Sequence, residues 1–490
     1  MNYITQNLII FILVLLSTPA SSQATPTPEL ERIFSNLGSA GNIKRLEWQV
    51  AGDHFDPAQS VSANGRGRHT SSYKLIASWN IGEEISYQWD LNTHYPFPSN
   101  YQYSETLQPE GTGTCTGSDG YRPSATGAMV PARIGSRMKF LWMGTPTLLL
   151  SKAENVVPID ESPNSYQLDA LDTSWIVQLD PNTKLPAALS TTEVDPLFGT
   201  VQTSVEYSSW QTINGLMVPA RLEYRVAGKL IRRELRNSIH VELGHPEKHP
   251  DYTQALSAPR YALGWNQAHW FISRIALASP RDSDQSQPVE FLQVAEGIFQ
   301  IHGNSHHNLL IELNDGLVIV DAPMYPARSE AVLQALALRW PTKPLKHLIL
   351  THHHYDHSGG LATYATAGVP ITMHSSNRQF FLDALVQQGI ADASVEGVNR
   401  SAQLTISNRV INLYEIPTAH ADGMLGVYLP DSKLLLLADI YSPGQAATNA
   451  LWDHEALSAI RFLNVPIEQV VGVHGSGIHS LSQVEAAITK

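Results

Sequence analysis

The densest concentration of metal-ligating side chains lies in Thr351-His352-His353-His354-Tyr355-Asp356-His357-Ser358-Gly359-Gly360. His352 and His354 are two residues apart, so an extended stretch points both imidazoles to one side. Asp356 and His357 are adjacent and can diverge towards two different metals. Imidazole and carboxylate donors together suit zinc, with iron or manganese as alternatives. One loop cannot close a two-metal site, so further ligands must come from elsewhere in the chain. Three candidates stand at comparable places. His420 follows VINLYEIPTA, Asp439 ends KLLLLAD, and His474 ends VVGV before Gly475. In a chain with 20 histidines any single one is ordinary, but polar donors at the ends of several apolar runs are hard to explain as packing.

The elements that must position these residues come from a strand–helix alternation over 289–490. FLQVAEGIFQIHG, NLLIELNDGLVIVDAP and LKHLILT read as strands, and SEAVLQALALRW and NRQFFLDALVQQG read as helices. A helix is predicted to begin near Gly359, which leaves the first four ligands on the loop leaving a strand, where open α/β folds place their chemistry.

The pattern H-x-H-x-D-H followed by His, Asp and His resembles the metallo-β-lactamase superfamily over Phe291 to Lys490. The resemblance implies an αββα sandwich with its site at one edge between two sheets. It implies two Zn2+ ions (Fe or Mn are possible substitutes): His352, His354 and His420 on the first, Asp356, His357 and His474 on the second, and Asp439 bridging. It further implies a hydrolase in which hydroxide held between the cations attacks an ester, thioester, lactone or amide bond, with Asp356 orienting it or passing a proton to the leaving group. An Asp at position 439 looks more like the lactonase, thioesterase and phosphodiesterase branches than like true β-lactamases, and His354 stands where flavodiiron members carry Glu. Phosphodiesterase or sulfatase-type hydrolysis, β-lactamase-type hydrolysis and a single-iron sulfur dioxygenase are the neighbouring chemistries. A lipid-binding envelope protein with a structural metal site is the non-enzymatic alternative.

Other residues have plainer readings. His353 occupies the variable position of the motif and is expected to face solvent. His306 and His307, in GNSHHNLL, fall on an early hairpin that in this fold can flank the substrate, and a structural role is equally open to them. Tyr441, two residues past Asp439, is a candidate hydrogen-bond donor to substrate, against the plainer reading of a packed tyrosine. Asp321, ending VIVDAP, is expected to support a ligand or loop; Trp340 and Trp452 are expected in the core; His479 competes with His474.

Residues 25–278 have a different texture. Short alternating runs such as SYKLIASWNI, RMKFLWMG, SWIVQLD and ARLEYRVAG, punctuated by Asn214-Gly215 and Asp180-Pro181-Asn182, predict a mostly antiparallel β domain. MVPARIG at Met129 and MVPARLE at Met217 suggest two similar hairpins. Parts of this region resemble the curved sheet of periplasmic lipoprotein carriers, which implies a concave apolar face that holds acyl chains or docks on the second domain. No residue in 25–278 has catalytic spacing. The polar run 279–288, SPRDSDQSQP, reads as a linker.

The apolar run from Leu8 to Leu16, followed by Ser22-Gln23-Ala24, reads as an export signal over 1–24. The run is too short for a comfortable membrane span, and no Cys follows it as a lipoprotein signal requires. A periplasmic or secreted protein with a small-molecule substrate and no stable membrane span is the expectation. The net charge of −13 argues against a nucleic-acid partner. The one cysteine, Cys115, excludes an internal disulfide. Oligomeric state is left open by the sequence.

Overall fold

A computed structural model describes residues 34–245 and 289–488, except 39, 97, 118–126, 130, 304–305 and 445–449. The expected signal (1–24) and linker (279–288) lie outside the described residues. Among those described, no helix is long and apolar enough to cross a membrane.

The first sheet has thirteen strands, all paired antiparallel. One meander comprises β1 (Ile43–Asp56), β2 (Arg68–Asn80), β3 (Ile85–Thr93), β4 (Ser99–Leu107), β5 (Gly113–Gly117) and β6 (Gly127–Ala128). A second comprises β7 (Glu154–Pro158), β8 (Ser165–Ala170), β9 (Thr173–Leu179), β10 (Pro186–Asp195), β11 (Gly199–Ile213), β12 (Leu216–Val226) and β13 (Lys229–Leu243). The two meet where β1 pairs with β13. Strict alternation along β3, with Ile85, Tyr87, Trp89 and Leu91 buried, shows one face turned inwards.

That inner face is covered by helix α1 (Pro131–Gly144), followed by the short α2 (Pro146–Leu150). RMKFLWMG, expected as a strand, is therefore part of a helix. The two MVPAR copies fold oppositely. Around the first, Ile134, Met138 and Leu141 recur at helical spacing, and Pro131 opens the helix, where its missing N–H costs nothing. In the second, Leu216, Val218, Ala220, Leu222 and Tyr224 are buried at period two on β12. Pro219 is tolerated there because β12 pairs with β13 only from Arg221 onwards.

The inner face is less apolar than the carrier resemblance implied. Glu105, on the inward side of β4, accepts Arg133 Nε at 2.6 Å, Arg137 Nε at 2.7 Å and Trp89 Nε1 at 2.8 Å. Burial pushes the Glu105 carboxyl up, but the two guanidiniums outweigh it and hold it below its ordinary value. Pairs of this kind pin α1 to the sheet, since removing one partner from a buried charge cluster costs about 3–5 kcal/mol.

The rest of the chain forms two smaller sheets. One contains β14 (Glu290–Ala295), β15 (Ile298–His302), β16 (Asn308–Glu312), β17 (Leu317–Val320), β18 (Leu345–Ile349), β19 (Ile371–His374) and β20 (Val395–Val398), with β17 to β20 parallel. The other contains β21 (Ser401–Ile406), β22 (Arg409–Ile416), β23 (Met424–Leu429), β24 (Leu434–Leu436), β25 (Gln469–Val471) and β26 (Ile478–Ser480). Ile311, Val318, Val320 and Ile349 of one sheet share a core with Leu413, Val427 and Leu435 of the other. The outer face of the first carries α3 (Pro326–Arg339), α4 (Tyr355–Ser358), α5 (Leu361–Thr366) and α6 (Ser375–Gln387), and that of the second α7 (Ala450–Leu463) and α8 (Leu481–Ile488). This is the expected αββα sandwich beside an antiparallel β region. The thirteen-stranded sheet docks on its helices: Phe198, between β10 and β11, sets its ring edge-on to Tyr355 and Phe380.

Candidate metal centre

All seven expected ligands meet at one rim. His352 and His354 follow β18. Asp356 and His357 lie on α4, because the helical turn starts at Tyr355, earlier than Gly359. His420 follows β22, Asp439 sits in a 3-10 turn after β24, and His474 follows β25. Close packing leaves no latitude in the first loop: a Cβ on Gly359 would lie 2.1 Å from the Met324 carbonyl oxygen.

Asp439 is the pivot. Its Oδ1 stands 2.8 Å from His357 Nε2 and 3.2 Å from His474 Nε2, and its Oδ2 stands 3.0 Å from His420 Nε2 and 3.8 Å from His352 Nε2. The two oxygens of one carboxylate thus face two separate sets of imidazoles. His352, His354, His420 and Asp439 form one group whose donor atoms all lie within 4.8 Å of one another, and Asp356, His357 and Asp439 form another. A third such group joins His306, His357 and His474. Buried donors point into this space: His354 Nδ1 has no hydrogen-bond partner, and the close approach of His357 Nε2 to Asp439 Oδ1 is not a well-aligned hydrogen bond. Imidazole and carboxylate atoms buried at such distances, several without partners, fit divalent cations of the zinc, iron or manganese type.

Electrostatics divide the imidazoles into two sets. Burial, reinforced by neighbouring imidazoles, holds His352 and His354 well below the ordinary histidine value, which leaves them neutral with a lone pair to donate. Burial raises Asp439, but His357 and His474 outweigh it and keep the carboxylate ionised. Burial lowers His357 and His474, whereas Asp439, joined at His357 by Asp321, more than offsets this and raises both, so that a cation bound there would displace a proton.

Outer contacts fix which nitrogen faces inwards. Asp321, fully buried at the end of β17, accepts from the Thr351 N–H at 2.8 Å, the Thr351 hydroxyl at 3.0 Å and His357 Nδ1 at 3.0 Å. With its proton given to Asp321, the Thr351 oxygen accepts from His352 Nδ1 at 3.0 Å. Both rings are thereby held with Nε2 towards the cluster. The supporting role expected of Asp321 is what its contacts describe.

Of the remaining candidates, His306 lies in the cluster, with Nε2 3.1 Å from Asp356 Oδ2 and its ring 4.2 Å from that of His474. Burial lowers its pKa to about 4. His307 stacks on His302 instead. The Tyr441 hydroxyl is 2.6 Å from His479 Nδ1 and is occupied there, so His479 is tied to Tyr441 while His474 reaches Asp439. Trp340 packs against Phe291 and Phe299, and Trp452 stands edge-on to His420 at 4.8 Å.

His353 corrects the sequence reading. It is 1% exposed, not solvent-facing, because its Nε2 lies 2.9 Å from the Ser60 carbonyl oxygen of the first sheet's β1–β2 loop. Gln59, Ser60, Arg68 and Tyr95 all touch the cluster or its backbone, although nothing in their spacing signalled it.

Residues 303–471 match the family model of the metallo-beta-lactamase superfamily. The 2,4-dinitroanisole O-demethylase subunit alpha of Nocardioides sp. (strain JS1661) is 24% identical over 151 residues, 31% of this chain and 44% of that protein. The match therefore spans less than half of that relative. Among solved structures, a metallo-beta-lactamase from Pontibacter korlensis is 17% identical with a TM-score of 0.33, over 41% of this chain and 97% of its own. Rubredoxin oxygen:oxidoreductase from Desulfovibrio gigas is 18% identical with a TM-score of 0.34, over 41% of this chain and 60% of its own.

Proposed function

Because residues 303–471 carry a metallo-beta-lactamase superfamily domain, we propose that this chain is an exported binuclear zinc hydrolase acting on an ester, thioester, lactone or amide bond. The observation that carries the reading is the division of Asp439: one oxygen to His357 and His474, the other to His352 and His420, so that this carboxylate would be available to two cations.

Divalent cations there supply, when bound, a water acidic enough to ionise near neutral pH and a Lewis acid for the substrate's oxygen. The chain's own residues do the remainder. His352, His354 and His420 with Asp439 would hold one cation; Asp356, His357 and His474 with Asp439 would hold the other. Asp356 is fixed at both oxygens, Oδ1 by Gln59 and Oδ2 by His306, which orients it to hold a proton at the reaction centre and pass it to the leaving group. The His474 side chain is 22% exposed while those of His352 and His357 are fully buried, so substrate approaches from the His474 side.

The test joins metal analysis of the purified protein to a panel of lactones, thioesters, phosphodiesters, β-lactams and, after the relative's name, 2,4-dinitroanisole. About two zinc ions per chain and turnover of a carboxylic derivative are expected. One iron and no zinc would replace the hydrolase with an oxygenase. Asp356→Ala is expected to abolish turnover in a folded protein, and wild-type turnover at unchanged metal content would remove the mechanism.

A further inference from the structure

The loop joining β1 to β2 leaves the first sheet and ends inside the metal centre. Its polar residues are buried: Gln59 is 3% exposed and Ser60 1%. The segment is held rigidly. Asp56 accepts the Ala58 N–H at 2.9 Å, which closes the turn Pro57–Gln59. Arg68 Nε donates to the Gln59 carbonyl at 2.9 Å, and its Nη2 donates to the His420 carbonyl at 2.8 Å. The Val61 carbonyl accepts from the Asp422 N–H at 2.7 Å. Tyr95, just beyond β3, lies under the Arg68 guanidinium at 4.4 Å.

Within this frame the hydrogen bonds have only one consistent direction. Asp356 Oδ1 accepts, so the atom of Gln59 2.7 Å from it must be the donor Nε2. Gln59 Oε1 then faces Tyr95, whose hydroxyl donates to it at 2.9 Å. With its proton committed, the Tyr95 oxygen can only accept from His420 Nδ1, 3.2 Å away. His420 is therefore protonated at Nδ1, and its lone pair is on Nε2, the atom facing Asp439 and His352. The Ser60 carbonyl, which can only accept, stands 3.0 Å from His354 Nε2 and puts that ring's lone pair on Nδ1, the buried atom without a partner.

We propose that Gln59, the Ser60 carbonyl and Tyr95 are positioning residues of the metal centre: the first sheet sets the tautomers of His354 and His420 and the orientation of Asp356, and so links the two cation positions through one chain of donors. The inference rests on the cluster binding cations as proposed above. It gives the thirteen-stranded sheet a role that lipid carriage does not supply. The αββα region orients His352 and His357 through Asp321 and Thr351, and the first sheet orients His354, His420 and Asp356.

The experiment measures zinc affinity by competition with a chromophoric chelator, on the full chain, for wild type, Tyr95→Phe, Gln59→Met and the double variant, with the melting temperature of each metal-free protein alongside. Wild-type protein that takes up no divalent cation overturns the proposed function itself. If wild type binds, each single variant should lose about 10–100-fold in affinity for at least one zinc, as removal of an outer partner of a ligand does. The double variant should lose less than the product of the two, because both interrupt one chain. The absorption spectrum of the cobalt-substituted Tyr95→Phe protein should also change, a signature that a merely structural tyrosine would not move. Zinc affinity within twofold of wild type in Tyr95→Phe, with an unchanged cobalt spectrum, overturns the inference. Tyr95→Phe removes one oxygen and keeps the ring beneath Arg68, so it decides the question if Gln59→Met does not fold.

Discussion

Asp321→Asn isolates the control of tautomers with almost no change of shape. Asp321 offers two accepting oxygens to three donors: the Thr351 N–H at Oδ1, and the Thr351 hydroxyl and His357 Nδ1–H at Oδ2. An asparagine must place its NH2 at one of these positions. Towards Oδ2 it opposes His357 Nδ1–H and drives that proton to Nε2, the atom facing Asp439. Towards Oδ1 it opposes the Thr351 N–H and displaces the strand end carrying His352. Either orientation forfeits a hydrogen bond to a charged acceptor, about 1.5–3 kcal/mol. At about 1.4 kcal/mol per tenfold, this is roughly a 10–150-fold loss of metal affinity. The assay is chelator competition on the folded variant, with circular dichroism to verify the fold. Affinity within threefold of wild type would refute the claim that Asp321 dictates which imidazole nitrogen faces the cluster.

Glu105→Gln should destabilise the protein by about 3–5 kcal/mol in urea unfolding, because Arg133 and Arg137 are left buried without their shared anion. Glu105 is held below its ordinary value when folded, so its contribution is present above its unfolded pKa and is lost as pH falls through the lower folded value; acid unfolding of wild type should show this loss and Glu105→Gln should not. Gly359→Ala forces a methyl group to within 2.1 Å of the Met324 carbonyl oxygen, so a cost of about 1–3 kcal/mol in the melting curve is expected, together with weaker zinc binding as α4 shifts. Removing metal by chelation should lower the melting temperature of wild type and should leave that of Asp439→Ala nearly unchanged, since ligand-linked stabilisation needs an intact site.

The site was legible where one residue type meets one local context. His352, His354, His420, Asp439 and His474 each stand where an apolar run stops, and the chain turns there because its next side chains are polar; the rim follows from that pattern without knowledge of the sheets. The αββα layers were legible for the same reason: continuous apolar runs such as LVIV and LLL demand cover on both faces. RMKFLWMG failed because alternation in a short run is ambiguous, and contacts to both meanders, Trp142 on Trp79 of β2 and Phe140 on Tyr224 of β12, accommodate a helix buried on every side. His353 failed because its fate was set by a carbonyl 293 residues away.

That last failure says what local patterns cannot carry. The Ser60 carbonyl is a backbone atom, so no residue type announces it. Gln59 and Tyr95 acquire meaning only through a register that brings β1, β2 and β3 side by side and turns their ends towards α4. A ligand is visible in sequence because its own chemistry is specific to metals; the group that sets its tautomer needs only to be an acceptor in the right place, and many residues meet that condition. The fold therefore does its most specific work where the sequence is least distinctive, and substitution at Gln59 or Tyr95 should disturb zinc binding although neither residue is itself a metal ligand.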